Sequence, residues 1–253
     1  MIISHKVNRR QAREGALGCG LYAITDARLQ RPDQLTERVR QAIDGGARLI
    51  QYRDKSADAM FRLRQANALA GLCREHGVTL IINDDVELAA ECGAQGVHLG
   101  ENDADPQTAR RLLGDSAIIG VSCYNRLPLA VQAAKQGADY IAFGRFFPSR
   151  TKPKAVQAGL DLIKRARQQL SLPVAAIGGI TPDKAAALID AGVAVLAVVH
   201  GVFGAADVRQ AAAAYAALFQ RQDGIPSPAG GCHKSPLSPR ERVRERGSEK
   251  LTL

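Results

Sequence analysis

The 253-residue sequence predicts one α/β domain of the (β/α)₈ type, a TIM barrel, with a short N-terminal extension and a disordered C-terminal tail. Three observations predict it. From Gly20 onward, eight short β-rich runs alternate with eight segments of helical period, matching a small barrel of eight βα units. A helix ending in glycine runs straight into each even-numbered strand, at Gly46-Ala47, Gly93-Ala94, Gly137-Ala138 and Gly192-Val193; the intervals of 47, 44 and 55 residues each hold two βα units, as four similar quarters would. The composition, 46% hydrophobic and 23% charged, suits one large globular domain with a sizeable core. An open doubly wound sheet is the competing architecture, since βα alternation alone does not prove closure.

The ends differ from the middle. Residues 1–19 hold four Lys/Arg and one acid, and residues 221–253 hold seven and four, so each end carries +3 of the formal +9 and residues 20–220 keep +3. That is too little to argue for a nucleic-acid partner, and small phosphorylated substrates match better. The division expected is therefore 1–19 as an extension with a short polar helix, 20–220 as the barrel, and 221–253 as a basic tail rich in Pro, Gly, Ser and Arg. The tail's RERVRER run has no interleaved aromatic for base stacking. Five scattered cysteines without a CxxC pair read as reduced, mostly structural thiols. No apolar stretch approaches the roughly 18 residues of a membrane span, and Met1–Gly20 is too polar for a signal peptide, so a cytoplasmic protein is expected, with a homo-oligomer left open.

Strand one is Leu21–Ile24, and the helix Asp33–Asp44 after it opens with Pro32 and Asp33 and ends at Gly45-Gly46, start and stop signals in the right order. Strand two, Leu49–Tyr52, runs into Arg53-Asp54-Lys55. Alternation sends Gln51, Arg53 and Lys55 to one side, and two cations with an amide suit a diphosphate. After a helix at Ala57–His76, strand three, Thr79–Ile82, runs into Asn83-Asp84-Asp85 and the helix Val86–Glu91. Strand four, Gly96–Leu99, runs into Glu101-Asn102-Asp103 and the helix Pro106–Leu113. Acids at the ends of adjacent strands can share a hard cation, and Mg²⁺ commonly joins one or two carboxylates to phosphate oxygens, which makes Asp84 and Asp103 the candidate pair. Helix capping competes for both positions, with Asp85 and Asp105 as alternative caps. His98 reads either as a buried strand histidine held by hydrogen bonds or as a catalytic one.

Strand five, Ala117–Gly120, leads into Val121-Ser122-Cys123-Tyr124-Asn125, with the Ser122 hydroxyl at the mouth; Cys123 has no histidine placed in sequence to activate it. The helix Leu127–Gln136 and strand six, Tyr140–Phe143, precede the longest loop, 144–154. Ser149 and Thr151 hydroxyls with Arg150 and Lys152 there form an anion grip that closes over a substrate. The helix Leu160–Leu170 and strand seven, Val174–Ile177, end in Gly178-Gly179-Ile180; the helix Pro182–Asp190 and strand eight, Ala194–Val198, end in Val199-His200-Gly201; a helix at Val208–Phe219 closes the ring. Loops after strands seven and eight commonly bind phosphate through backbone N–H groups. Two anion sites and one metal site on one rim imply two phosphorylated substrates, or one with phosphate at both ends. No Ser-His-Asp arrangement, Walker loop or GxGxxG fingerprint competes.

Taken together, QYRDK at 51–55, INDD at 82–85, GVHLG with END at 96–103, GVSCYN at 120–125, GADYIAFGRFFPSRTK at 137–152 and AIGGI at 176–180 resemble the thiamine phosphate synthase family. The resemblance covers about 20–219 and is specific as a set. It implies a transferase that condenses a pyrimidine diphosphate, 4-amino-2-methyl-5-(diphosphooxymethyl)pyrimidine, with a thiazole phosphate to give thiamine phosphate and pyrophosphate. It implies that Gln51, Arg53, Lys55, Asn83, Ser122 and Lys152 contact the pyrimidine diphosphate, with Lys152, Arg53 and Ser122 nearest the chemistry. Asp84 and Asp103 would hold Mg²⁺, and Ser149, Thr151, Gly179, Val199 and His200 the thiazole phosphate. The chain departs from the family pattern at Ser149, where threonine is usual, and at His200, where serine is frequent. A thiazole tautomerase of the same fold is the alternative, though its histidine falls where Tyr124 stands; a non-catalytic phosphate-binding barrel is the other.

Overall fold

The structure is a computed structural model that describes Arg13 and residues 15–148 and 156–220. Eight parallel strands form a closed barrel in sequence order: β1 (Gly20–Ile24), β2 (Ala47–Tyr52), β3 (Thr79–Asn83), β4 (Gly96–Leu99), β5 (Ile118–Tyr124), β6 (Tyr140–Gly144), β7 (Val174–Ile177) and β8 (Val195–Val198). β1 pairs with β8 as well as with β2, with Leu21 opposite Leu196 and Ala23 opposite Val198, so the open-sheet alternative is excluded. Between the strands lie α1 (Leu35–Asp44, entered through a 3-10 turn at Pro32–Gln34), α2 (Ala59–His76), α3 (Val86–Glu91), α4 (Pro106–Leu113), α5 (Leu127–Lys135), α6 (Leu160–Gln169) and α7 (Pro182–Asp190). A short helix, α8 (His200–Phe203), and the closing α9 (Val208–Gln220) follow β8.

The local signals place the helices as read. Asp58 accepts from the Phe61 N–H, Asp85 from Leu88 and Asp105 from both Gln107 and Thr108, each satisfying otherwise orphaned donors at a helix start. The four repeat glycines all have positive φ, from 64° to 102°, which is the turn that ends each helix before an even-numbered strand. Thr181 sits at the start of α7 in extended backbone but makes no capping bond, and Pro182 occupies the first turn.

Two apolar layers follow from strand alternation. Outward-facing residues such as Leu21, Ile50, Tyr52, Leu80, Val97 and Ile141 pack against the helix ring, where Cys73, Cys92 and Cys123 are buried and free, as read for structural thiols. Inward-facing Tyr22, Ile24, Leu49, Ile81, Ile118, Tyr140 and Val195 fill the barrel, joined by Leu17 from the N-terminal segment. That segment is helical at 15–17; Leu17 is 1% exposed and the Ala16 carbonyl accepts from Thr79 Oγ1 at 3.1 Å. Arg13 reaches Asp139 at 2.8 Å, and Asp139 also accepts from Arg110 at 2.6 Å and from the Ile119 N–H at 2.8 Å. No helix among the described residues is long and apolar enough to cross a membrane.

Candidate active site

A cavity of about 360 Å³ lies at the carboxyl ends of the strands. Gln51 and Arg53 reach it from β2 and its end, while Tyr52 between them points outward and donates to Gln65 at 2.9 Å, the alternation expected of a strand. Thr25, 1% exposed at the end of β1, accepts from the Arg53 N–H at 2.9 Å and fixes where Arg53 leaves the sheet. Asn83, His98, Ser122 and Tyr124 continue the lining from β3, β4 and β5.

Through that wall runs a hydrogen-bond chain, with Tyr140 behind it. Gln51 Nε2 donates to the Tyr22 hydroxyl at 2.7 Å, Tyr22 lies 3.0 Å from the Tyr140 hydroxyl, and Tyr140 lies 2.9 Å from His98 Nδ1. His98 Nε2 is 2.9 Å from Ser122 Oγ. His98 is therefore a buried strand histidine with both ring nitrogens engaged, the first of its two readings. Desolvation raises the pKa of both tyrosines, so they stay neutral phenols.

The acids divide as follows. Asp85 caps α3 and pairs with Arg62 at 3.0 Å, and Asp105 caps α4, which leaves Asp84 and Asp103 to the mouth. Asp84 has φ 66° and its N–H donates to the His98 carbonyl at 2.8 Å, which ties the end of β3 to β4. Its carboxylate meets the exposed Lys55 ammonium. Burial pushes the Asp84 carboxyl up, but Lys55 and a hydrogen bond with Asp103 outweigh it and hold Asp84 below the usual range. Asp103 moves the other way, raised by burial and by the Asp84 carboxyl, against the Gly100 N–H that donates to it at 2.7 Å. Two carboxyl groups set against each other in this way are a donor set a hard divalent cation fits, since the cation relieves their repulsion. Among the described residues, no group of three or more His, Cys, Asp and Glu could hold a metal ion, so a cation here would draw its remaining ligands from water and substrate.

The far side of the cavity is built on backbone. Gly178 and Gly179 follow β7, and Val199, His200 and Gly201 follow β8. At Gly179, φ is 63° and a Cβ would overlap the Pro148 and Phe147 carbonyl oxygens, so only glycine lets the start of the long loop lie against this turn. The His200 imidazole lies against Gly204, where a Cβ would overlap its Nδ1, one turn along its own helix.

Of the residues expected at the site, Gln51, Arg53, Asn83, Ser122, Gly179, Val199 and His200 line one cavity, and Lys55, Asp84 and Asp103 form a group beside it. Ser149, Thr151 and Lys152 lie outside the described residues. Sequence reasoning missed Tyr22, Tyr140, Arg145 and Lys184. Arg145 and Lys184 bring two more cations to the glycine side, with Lys184 Nζ 5.4 Å from the Phe147 ring centre. The available signal for Lys184 was its place in the first turn of the helix that follows the glycine pair. Cys123 faces the helix ring rather than the cavity, and burial pushes its thiol up to about 12, which agrees with its exclusion as a nucleophile.

The sequence profile of a family described as thiamine monophosphate synthase matches residues 21–202. A protein of Nitrosococcus oceani named thiamine-phosphate synthase is 52% identical over 200 residues, covering 79% of this chain and 92% of that one. Its namesake from Thioalkalivibrio sulfidiphilus is 51% identical over 201 residues, covering 79% and 95%. Among solved structures, thiamine phosphate pyrophosphorylase from Pyrococcus furiosus superposes with a TM-score of 0.73 at 35% identity, over 83% of this chain and 98% of that one.

Proposed function

The chain belongs to the thiamine monophosphate synthase family, and from that premise we propose that its barrel mouth divides one coupling reaction among a diphosphate site, a cation site and a phosphate site. The protein is a transferase that joins the pyrimidine diphosphate to a thiazole phosphate, yielding thiamine phosphate and pyrophosphate. One observation carries the division: the amide, cation and hydroxyl groups of Gln51, Arg53, Asn83 and Ser122 and the glycine-rich end at Gly179, Val199 and His200 line a single cavity.

In this reading Gln51, Arg53, Lys55, Asn83, Ser122 and Lys152 bind the pyrimidine diphosphate. Arg53, Ser122 and Lys152 stabilise the negative charge that grows on pyrophosphate as its bond to the methylene carbon breaks. Asp84 and Asp103 would hold Mg²⁺, which when bound supplies further charge neutralisation to the leaving group. The stabilised methylene cation left on the pyrimidine is captured by the thiazole nitrogen, a step that asks for no general base. Gly179, Val199 and His200, with the Ser149 and Thr151 hydroxyls, hold the thiazole phosphate and aim that nitrogen. His200 serves through its backbone N–H, because its ring is turned along α8 toward Gly204. We place the reaction in the cytoplasm, with small phosphorylated molecules rather than nucleic acid as partners.

The test is a reconstitution: purified protein, both substrates and Mg²⁺, with thiamine phosphate measured as product. Coupling that requires every component supports the reading. Conversion of the thiazole phosphate without the pyrimidine would assign the tautomerase reaction instead, and binding without turnover a phosphate-binding barrel.

A further inference from the structure

Five side chains from five strands join in one buried line, and counting their protons gives the line a direction. Gln51 presents Nε2, a donor only, to the Tyr22 hydroxyl, so Tyr22 accepts there. The Tyr22 proton then needs an acceptor of its own, and at 1% exposure the Tyr140 hydroxyl supplies it at 3.0 Å. Tyr140, also 1% exposed, accepts from Tyr22 and passes its proton to His98 Nδ1 at 2.9 Å. Nδ1 is then an acceptor, a neutral imidazole carries its hydrogen on Nε2, and that N–H donates to Ser122 Oγ at 2.9 Å. Ser122 accepts from inside the wall, and its own proton is left pointing into the cavity.

We propose that the line Gln51–Tyr22–Tyr140–His98 is a polarised relay that fixes Ser122 as a hydrogen-bond donor toward the ligand and Gln51 as an acceptor through its outward carbonyl. Tyr140, which does not line the cavity, is a positioning residue, whereas Tyr22 and His98 are links that also form part of the cavity wall. The relay makes the ends opposite in polarity: reversing any link reverses all of them. A low-dielectric interior strengthens such a chain, and each link polarises the next. The strands are shaped to admit it. Gly120 stands opposite Tyr140 in the β5–β6 register, and a Cβ at Gly120 would overlap the Tyr140 ring and hydroxyl. Tyr22 and Tyr140 also meet edge to face, with centroids 6.2 Å apart, which holds the two hydroxyls together.

The proposal rests on the reading of Ser122 as a diphosphate contact, and two experiments separate the two claims. The first needs no substrate. Ring-nitrogen NMR of the ¹⁵N-histidine-labelled protein, with His98 assigned through His98→Gln, should show the Nε2–H tautomer; the Nδ1–H tautomer, or a mixture of the two, overturns the relay whether or not the protein makes thiamine phosphate. The second is a double-mutant cycle. Tyr140→Phe keeps the ring and removes the link, and kcat/KM for the pyrimidine diphosphate should fall about tenfold, the worth of one well-placed hydrogen bond. In a Ser122→Ala background the same change should cost less than about fivefold, because only the Gln51 end is then left to direct. An undiminished tenfold loss in that background would make Tyr140 a packing residue and sink the idea. Tyr22→Phe repeats the cycle one link further away, so a poorly folding Tyr140 variant does not decide the matter.

Discussion

The two ends of this barrel treat charge in opposite ways. At the amino-terminal end, Asp139 is 7% exposed and answered entirely by the protein: Arg13, Arg110 and the Ile119 N–H all bond to it. At the carboxyl end, Asp84 and Asp103 are set against each other with the Lys55 ammonium on Asp84, and Arg53 lines the cavity. One end is complete as folded, and in the function proposed for the other a ligand completes it. The difference separates residues that stabilise the barrel from residues that use it.

The comparison can be broken by four measurements, given from the largest effect to the smallest. Asp84→Ala or Asp103→Ala should lower Mg²⁺-dependent turnover by on the order of 10³, with no loss of melting temperature for Asp103→Ala and a small loss for Asp84→Ala, whose lowered carboxyl favours folding at neutral pH. The Asp103 carboxyl is raised above its ordinary value, so ionising it opposes folding at neutral pH, and removing it withdraws a cost; a clear drop in melting temperature for Asp103→Ala would show that its charge is structural. Asp139→Ala should do the reverse. It strands two arginines and costs about 3 kcal/mol in a denaturant titration, while kcat/KM per folded molecule stays unchanged. Gly179→Ala tests whether the glycine end is functional or only tight: the left-handed backbone costs about 1–2 kcal/mol, and we expect KM for the thiazole phosphate to rise about tenfold with KM for the pyrimidine diphosphate unmoved. Cys123→Ala should cost about 1 kcal/mol of stability and leave turnover intact, since the thiol faces the helices.

Much of the amino acid pattern was legible because its signals are local. α3, α4 and α7 have the bounds read from Asp85, Asp105 and Pro182, whose effects reach only a few residues along the chain. β5 was less legible. Ser122, Cys123 and Tyr124 read as a mouth loop, but the strand continues through them, with a register shift between Ser122 and Tyr124 where they pair with Ala142 and Phe143. That extension is decided by the neighbouring strand, and nothing within the segment announces it. α8 was missed because a four-residue helix has no periodicity to detect. The tyrosine–histidine line was invisible for the same reason on a larger scale: Tyr22 and Tyr140 are 118 residues apart, and each alone is an ordinary strand tyrosine. Barrel closure, not spacing, makes them neighbours.

The plug of the floor has a consequence for traffic. Leu17, Leu49, Ile81 and Ile118 fill the barrel beneath the cavity, so the axis is a cul-de-sac and not a passage. Two reactants and two products must then share one doorway. We expect the molecule seated against the tyrosine wall to enter first. An ordered pattern of product inhibition is the form in which steady-state kinetics would display such an order.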